Sequence, residues 1–347
     1  MSESIRDDLA ILCCPRCSGA LAGESENVRC KSCGQAFGFD DDIALLFWPN
    51  EWDAGKRDVT EIVRAFYEET PFPNYDELDS AESLAVKARR GLFAKLLDEQ
   101  VPGGVRVIEC GSGTSQLSNF LSIPNRRVWA TDLCLNSLRL GRDFARSHGL
   151  GRVRFVQMNL FRPAFRPGSF DLVISNGVLH HTSDPFLGFR TIAQLAKPGG
   201  YVLIGLYHRY GRLITDARRV LFRWTGERFT ALDPNLRRAE TSDAKKRAWF
   251  ADQYRHPHES KHTIGEVLRW LDAAGLELVR TIPTTRLFQP FSEDVALFAP
   301  EAPGSPIERA LVELGMARSG SREGGFFTVI ARRPSGSPRA ETSQNSV

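Results

Sequence analysis

The strongest constraint on the fold is an alternation of strand and helix patterns that begins at Val105. Five short apolar segments, each followed by a helical pattern or a turn, predict five strands: VRVIEC, RVWATD, VRFVQMN, FDLVISN and GYVLIGLY. Two later segments, LELVRTIPT and GFFTVIARRP, predict two further strands. Such an alternation is typical of a parallel sheet with helices on both faces.

The first strand runs into a glycine-rich turn and then a helix, within the segment VIECGSGTSQLSNFL. Unpaired N–H groups at a helix N-terminus attract ligand oxygens, and glycines let a ligand approach the backbone. Gly111 and Gly113 fit a dinucleotide pattern G-x-G-x-x-G, but Gln116 stands at its third glycine. The alternative is the E-x-G-x-G turn of S-adenosylmethionine (SAM) enzymes, with Glu109 two residues before Gly111. Asp132, which ends the second strand, suits a ribose in either case.

Five segments resemble, in order, the motifs of class I SAM-dependent methyltransferases of the small-molecule type: ECGSGTS, ATD, QMNLFRPAF, SNGVLHH and LAKPGGYVLIG. The resemblance covers residues 96–333 and implies an α/β, Rossmann-like sheet of seven mostly parallel strands with SAM as the cofactor. By this resemblance, Glu109, Gly111 and Gly113 form the methionine-side turn, and Asp132 holds the ribose. Leu133 packs near the adenine, Asn159 and Leu160 flank the base, and Asn176 faces the site. Ser115 stands where many members carry a third glycine, and we expect that replacement to be tolerated if its φ is negative.

Five of the seven cysteines lie within residues 13–33, which indicates a metal site rather than disulfides in a reducing compartment. Two C-x-x-C pairs, separated by 12 residues, predict a tetrahedral zinc ribbon with four thiolate ligands: Cys14, Cys17, Cys30 and Cys33. Cys13 is left over, and we expect it to be an inert core thiol. The segment resembles small ribbon proteins that partner tRNA methyltransferases, so one expected role is to dock a protein partner.

Composition is that of a globular protein: 42% of the 347 residues are hydrophobic and 25% are charged. The net charge of +3 gives no whole-chain case for nucleic acid. The N-terminus lacks the basic region of a signal peptide, and no apolar stretch is long enough to span a bilayer. We therefore expect a soluble, cytoplasmic protein.

The chain divides into four predicted parts. They are a zinc ribbon over residues 1–50, a helical linker or cap over 51–95, the methyltransferase domain over 96–333, and a disordered tail over 334–347. Within the second part, FYEETPFPNY is expected either to cover the cofactor mouth or to pack on the core as a linker.

An insertion over residues 209–262 follows the fifth strand and carries 13 Lys and Arg against 7 Asp and Glu, a net charge of +6. Its amphipathic helix over 212–224 leaves three interpretations open: a lid, a membrane-surface contact or a nucleic-acid contact. Six of the seven histidines lie in this insertion or at the carboxyl ends of the fourth and fifth strands, where doubly wound sheets bind ligands. We predict an acceptor site with a general base among four residues: His180, Tyr207, His256 and His258.

The leading functional hypothesis is methyl transfer from SAM to an O, N or C atom of a small-molecule or lipid- or sugar-linked acceptor. One alternative is an RNA base methyltransferase that recognises its substrate through the zinc ribbon. SNGVLHH lacks the N/D-P-P-Y type of sequence found in many base-methylating enzymes, which argues against RNA. Another alternative is a non-catalytic SAM-binding adaptor.

Overall fold

The structure is a computed structural model, and it describes residues 7–52, 58–73, 75, 80–226, 228–237, 242–319 and 325–336. The predicted tail over 334–347 therefore lies largely outside the described residues. Within the described ranges, none of the helices combines the length and the apolar character that a bilayer crossing requires.

The strands are β1 (Leu21–Gly23), β2 (Val28–Cys30), β3 (Ala36–Phe37), β4 (Phe39–Asp40), β5 (Ile43–Leu46), β6 (Arg106–Cys110), β7 (Arg127–Asp132), β8 (Val153–Met158), β9 (Phe170–Asn176), β10 (Ala196–Tyr207), β11 (Glu277–Ile282) and β12 (Phe326–Arg332). The larger sheet has the order β11-β12-β10-β9-β6-β7-β8-β5-β4. Strands β6 to β10 pair in parallel, while β12 lies antiparallel between β10 and β11. All seven predicted strands are present, and the α/β fold with a mostly parallel sheet is confirmed.

The α-helices are α1 (Thr60–Glu69), α2 (Ala81–Arg89), α3 (Leu92–Gln100), α4 (Gln116–Ser122), α5 (Leu135–Ser147), α6 (Pro185–Ala193), α7 (Leu213–Thr225), α8 (Pro234–Arg237), α9 (Asp243–Phe250), α10 (Ile264–Ala274) and α11 (Pro306–Ser319). A π-helical turn over Ala251–Arg255 continues α9. Helix α10 begins with a side-chain cap, because the Thr263 side chain accepts a hydrogen bond from the Glu266 N–H.

The N-terminal segment is joined to the central sheet. Strands β1 to β3 form a small antiparallel sheet, and β5 then pairs in parallel with β8, with Ala44 opposite Val156. Asp8 accepts a hydrogen bond from the indole of Trp129, and the Cys13 N–H donates to the carbonyl of Ala164. Residues 1–50 thus supply two strands to the larger sheet, while their existence as a separate ribbon domain stays a prediction.

The four cysteines predicted to bind zinc lie together. Their sulfur atoms are all within 4.8 Å of one another, and Sγ–Sγ distances are 3.7 Å for Cys14 and Cys33 and 3.5 Å for Cys17 and Cys30. Tetrahedral zinc with Zn–S bonds of about 2.3 Å requires sulfurs roughly 3.8 Å apart, so the cluster fits zinc. The sulfur of Cys13 instead lies 3.8 Å from the carbonyl of Pro163, outside the cluster.

The glycine-rich turn after β6 departs from expectation at one residue. Ser115 has a φ of 62° and a ψ of 28°, the left-handed region that favours glycine, whereas tolerance was expected for a negative φ. Its hydroxyl lies 3.0 Å from that of Ser112, which ties the serine to the start of the turn. Left-handed backbone costs a residue with a Cβ roughly 1–2 kcal/mol.

We predict that Ser115→Gly is more stable than Ser115→Ala by about 1 kcal/mol in urea unfolding monitored by circular dichroism. Both variants lose the hydroxyl, but only the alanine keeps the Cβ that strains the left-handed backbone. Helix propensity alone predicts the opposite order. An alanine variant as stable as the glycine variant would show that the turn is not left-handed at this position.

We predict that purified protein contains one zinc per chain, measured by elemental analysis. Cys30→Ser should lose the metal, because Cys30 supplies one of four thiolates, whereas Cys13→Ser should retain it. Equal zinc in the Cys30 variant, or loss in the Cys13 variant, would contradict the ligand set.

Candidate functional site

A cavity of about 970 Å³ opens at the carboxyl ends of the parallel strands. Its wall includes every residue that the sequence assigned to the cofactor: Glu109, Gly111, Gly113, Asp132, Leu133, Asn159, Leu160 and Asn176. These residues come from four different strand ends and the loops that follow them, and the parallel pairing brings them to one edge of the sheet.

Two glycines of the turn after β6 allow the cavity wall to pack closely. A Cβ at Gly111 would lie 2.5 Å from the side chain of Val178, and a Cβ at Gly113 would lie 2.4 Å from the carbonyl oxygen of Phe72. Both residues also have positive φ, at 82° and 52°. Larger residues at these positions would therefore displace the cavity wall.

The segment FYEETPFPNY combines the two roles left open for it. Tyr67, Phe72 and Pro73 line the cavity. Tyr75 packs on the core instead: its hydroxyl donates to the carbonyl of Thr114, and its ring stacks on Phe144 with centroids 4.4 Å apart. The segment covers one side of the cavity because its end is held at the glycine-rich turn.

One end of the cavity presents hydrogen-bond acceptors. Burial raises the pKa of Glu109 to about 8, although its carboxylate accepts a hydrogen bond from Ser118. Asp132 accepts from the N–H groups of Gly113 and Cys134 at 2.8 Å each, and burial raises its pKa. The buried Oδ1 of Asn176 has no hydrogen-bond partner among the described residues.

This donor-poor end fits SAM. An α-ammonium and two ribose hydroxyls are hydrogen-bond donors, and two carboxylates with an unpaired amide oxygen are their complement. A buried carboxylate with a raised pKa is stabilised in its ionised form by an adjacent cation. Glu109 therefore suits the ammonium group, and Asp132 suits the ribose.

Asn159 lies in the same wall but also holds the N-terminal segment. Its amide group donates to the carbonyl of Trp48 at 3.0 Å and to Oδ1 of Asn50 at 2.7 Å, and its own Oδ1 accepts from the N–H of Phe161. Both amide hydrogens are therefore used within the protein. Only the second lone pair of Oδ1 remains for the adenine contact that the sequence predicts.

The insertion brings a chain of buried polar groups to the cavity. The Tyr67 hydroxyl donates to Oδ1 of Asp252 at 3.0 Å, and the Gln253 amide donates to Oδ2 of Asp252 and to the Tyr207 hydroxyl. All four residues line the cavity. Burial raises the pKa of Asp252 above its ordinary range. Of the four, the sequence predicted Tyr207 for the acceptor site and included Tyr67 in FYEETPFPNY. It gave no sign of Asp252 and Gln253, because they belong to no motif and reach the wall on the π-helical turn.

A buried ion-pair cluster fixes this part of the wall. Arg212 is fully buried, and its guanidinium donates to Glu259 at 2.7 Å and lies 3.9 Å from the centre of the Tyr207 ring. Arg219 donates to the same carboxylate at 2.9 Å. Burial opposes ionisation of Glu259, but the two arginines outweigh it and lower its pKa. The cluster thereby anchors α7 beside the π-helical turn.

His181 is the histidine that lines the cavity. Its Nδ1 lies 2.9 Å from the carbonyl of His258. Because a carbonyl only accepts hydrogen bonds, we assign the proton to Nδ1 and the lone pair to Nε2. Burial lowers the pKa of His181 to about 4, so the ring is neutral near pH 7.

Three of the four predicted acceptor-site residues are histidines that contact His181. The ring of His256 is 3.7 Å from that of His181 between centroids, and the ring of His180 is 4.2 Å from it. His258 holds His181 through its carbonyl and places its own Nε2 3.1 Å from the carbonyl of Thr182. Tyr207 lines the cavity, as predicted, but His180, His256 and His258 are absent from its described wall. A direct catalytic role for these three histidines stays a prediction.

Residues 108–204 match the family described as methyltransferase domain. An uncharacterised protein of Synechococcus sp. is 29% identical over 251 residues, which cover 63% of this chain and 59% of that protein. The ubiquinone biosynthesis O-methyltransferase of Bordetella pertussis is 34% identical over 111 residues, which cover 30% of this chain and 44% of that enzyme. The chain thus spans about half the length of these curated relatives.

Solved structures of methyltransferases resemble the chain more distantly. A SAM-dependent methyltransferase from Mesorhizobium loti is matched over its whole length and covers 71% of this chain. The two are 19% identical, with a TM-score of 0.43. A chain from a Haloferax volcanii complex of the Trm112 methyltransferase activator with a methyltransferase covers 80% of this chain, matching 99% of its own length, at 14% identity and a TM-score of 0.48. Residues 108–204 are thus similar in sequence to methyltransferase domains, and they lie in a mostly parallel, Rossmann-like α/β sheet.

Proposed function

We propose that the protein transfers a methyl group from SAM to an oxygen atom of a small, largely apolar acceptor, free or lipid-linked. The observation that carries the proposal is one cavity that is lined both by the acceptors suited to SAM and by the polar chain around Asp252. The similarity of the methyltransferase segment to ubiquinone biosynthesis O-methyltransferases supports oxygen rather than nitrogen or carbon as the methylated atom.

The cofactor is held by this chain's strand ends. Glu109 receives the ammonium group, Asp132 receives the ribose hydroxyls, and Leu133 and Leu160 flank the base. Bound SAM supplies an electrophilic methyl group, so the remaining task of the protein is to align the acceptor and to accept its proton.

The acceptor region combines an apolar surface with a few polar groups. Apolar side chains from several elements line the cavity: Phe93, Ile282, Phe291, Met316 and Phe326. Such a surface suits an aromatic or isoprenoid body, while the Tyr67–Asp252–Gln253 chain fixes a hydroxyl by hydrogen bonding. His181 lines the cavity with its lone pair assigned to Nε2, and we assign that nitrogen the proton of the acceptor hydroxyl.

A protein partner for the ribbon stays a prediction. The ribbon segment already uses β5 to pair with β8, so that strand edge is covered within the chain. A partner would have to bind the ribbon through another surface. The RNA-methyltransferase and adaptor hypotheses gain no support from the cavity, whose described wall combines apolar side chains with a chain of buried hydrogen-bonding groups.

We predict that SAM affinity, measured by isothermal calorimetry, rises about tenfold between pH 6 and 7.5. With a pKa of about 8, Glu109 is mostly protonated at pH 6, and the ammonium group pairs with the ionised form, so binding strengthens as pH increases. Glu109→Gln should remove most of this rise, whereas Asp252→Asn on the acceptor side should keep it. A pH-independent wild-type affinity, or the same rise in the Glu109 variant, would contradict the assignment.

We predict that His181→Ala slows methyl transfer by roughly 10²–10⁴-fold while leaving SAM affinity unchanged, because the lost imidazole contacts the acceptor proton and not the cofactor. A deletion strain complemented with this variant should accumulate a metabolite that is one CH₂ group lighter than the product in the wild type. His148→Ala, a histidine outside the cavity wall, is the matched control and should restore the product. Normal product levels with the His181 variant would rule out its role as base.

A further inference from the structure

The amphipathic helix α7 is oriented with its apolar stripe toward solvent. Trp224 is 87% exposed, Val220 is 54% exposed and Leu213 is 52% exposed, and Ala217 between them is exposed as well. These residues are spaced four, three and four apart, so they form one line along the helix. The amphipathic pattern was expected from the sequence, but a helix of a globular domain normally turns such a stripe toward the core.

The outward orientation is fixed by the opposite face of α7. Thr215 and Phe222 are buried there, with the ring of Phe222 4.8 Å from that of Tyr254 between centroids. Arg212 precedes the helix and Arg219 lies within it, and both bind Glu259. Rotating the apolar stripe inward would break these buried ion pairs, so the exposed stripe is a built feature of the fold.

Exposed arginines occur on the same helix and in the next segment of the chain. Arg223 is exposed on α7, and Arg228 and Arg237 are exposed in the segment that follows. Phe229 and Leu232, each about half exposed, extend the apolar surface into the same segment. The whole insertion carries a net charge of +6 in a chain of net +3. A solvent-facing apolar line bordered by arginines is complementary to an anionic lipid surface.

We propose that α7 and the segment through Leu232 form a docking surface for anionic lipid bilayers. Trp224 inserts at the level of the headgroups, where indole rings are favoured, and the arginines contact lipid phosphates. The same insertion supplies Asp252 and Gln253 to the cavity wall. Docking through α7 therefore brings the acceptor region close to a membrane, which suits an apolar or lipid-linked acceptor.

The test is flotation of the full-length protein with two kinds of vesicle, one of phosphatidylcholine alone and one containing phosphatidylglycerol. We expect binding to the anionic vesicles, loss of that binding in high salt, and roughly tenfold weaker binding for Val220→Ser/Trp224→Ser and for Arg223→Glu. Ile307→Ser is the matched control, because Ile307 is 74% exposed on α11, outside the insertion in sequence, and it should bind like the wild type. Circular dichroism checks that each variant is folded.

Several outcomes would overturn the proposal. They are no preference for anionic vesicles, equal loss of binding in the Ile307 control, or self-association that the Val220/Trp224 variant abolishes, which would assign the surface to a second copy of the chain. The assay contains neither SAM nor an acceptor. Its result is therefore independent of whether the proposed methyl transfer is correct.

Discussion

The parallel hydrogen bonding of β6 with β7 and β9 is the constraint on which the site depends. Its register places Glu109 opposite Ala130 on one side and Ile174 on the other. Asp132 and Asn176 then follow two residues further along each neighbour, so three polar side chains reach the same edge of the sheet. A shift of the register by one residue would turn these side chains to the other face.

Two segments are held beside the cavity wall by buried polar contacts. The N-terminal segment is tied to Asn159, whose amide donates a hydrogen bond to the Trp48 carbonyl. The insertion is held by the ion pairs of Glu259 with Arg212 and Arg219. Buried ion pairs contribute little to the net stability of a protein, but removing one partner lowers that stability by several kcal/mol. They therefore fix the geometry of a site more than they stabilise the fold.

Much of this arrangement could be predicted from the sequence. Apolar periodicity located the strands, residue spacing located the four clustered cysteines, and the motif resemblance named eight residues that all line one cavity. The failures have physical causes. Periodicity shows which residues of α7 share a face, but the ion pairs to Glu259 decide that this face points outward. The positive φ of Ser115 and the π-helical turn that carries Asp252 depend on tertiary contacts that no local pattern encodes. The ring contact between His181 and His256 likewise depends on the path that the insertion takes past the strand ends.

We infer that the carboxyl-edge cavity binds the cofactor beside Glu109 and leaves the space beside Asp252 for an acceptor. A crystal structure of the protein with S-adenosylhomocysteine tests it most directly. We expect the amino group at Glu109, the ribose hydroxyls at Asp132, and free space beside Tyr67 and Asp252. Binding of the nucleoside at any other surface, or an adenosyl group that fills the space beside Asp252, would contradict it.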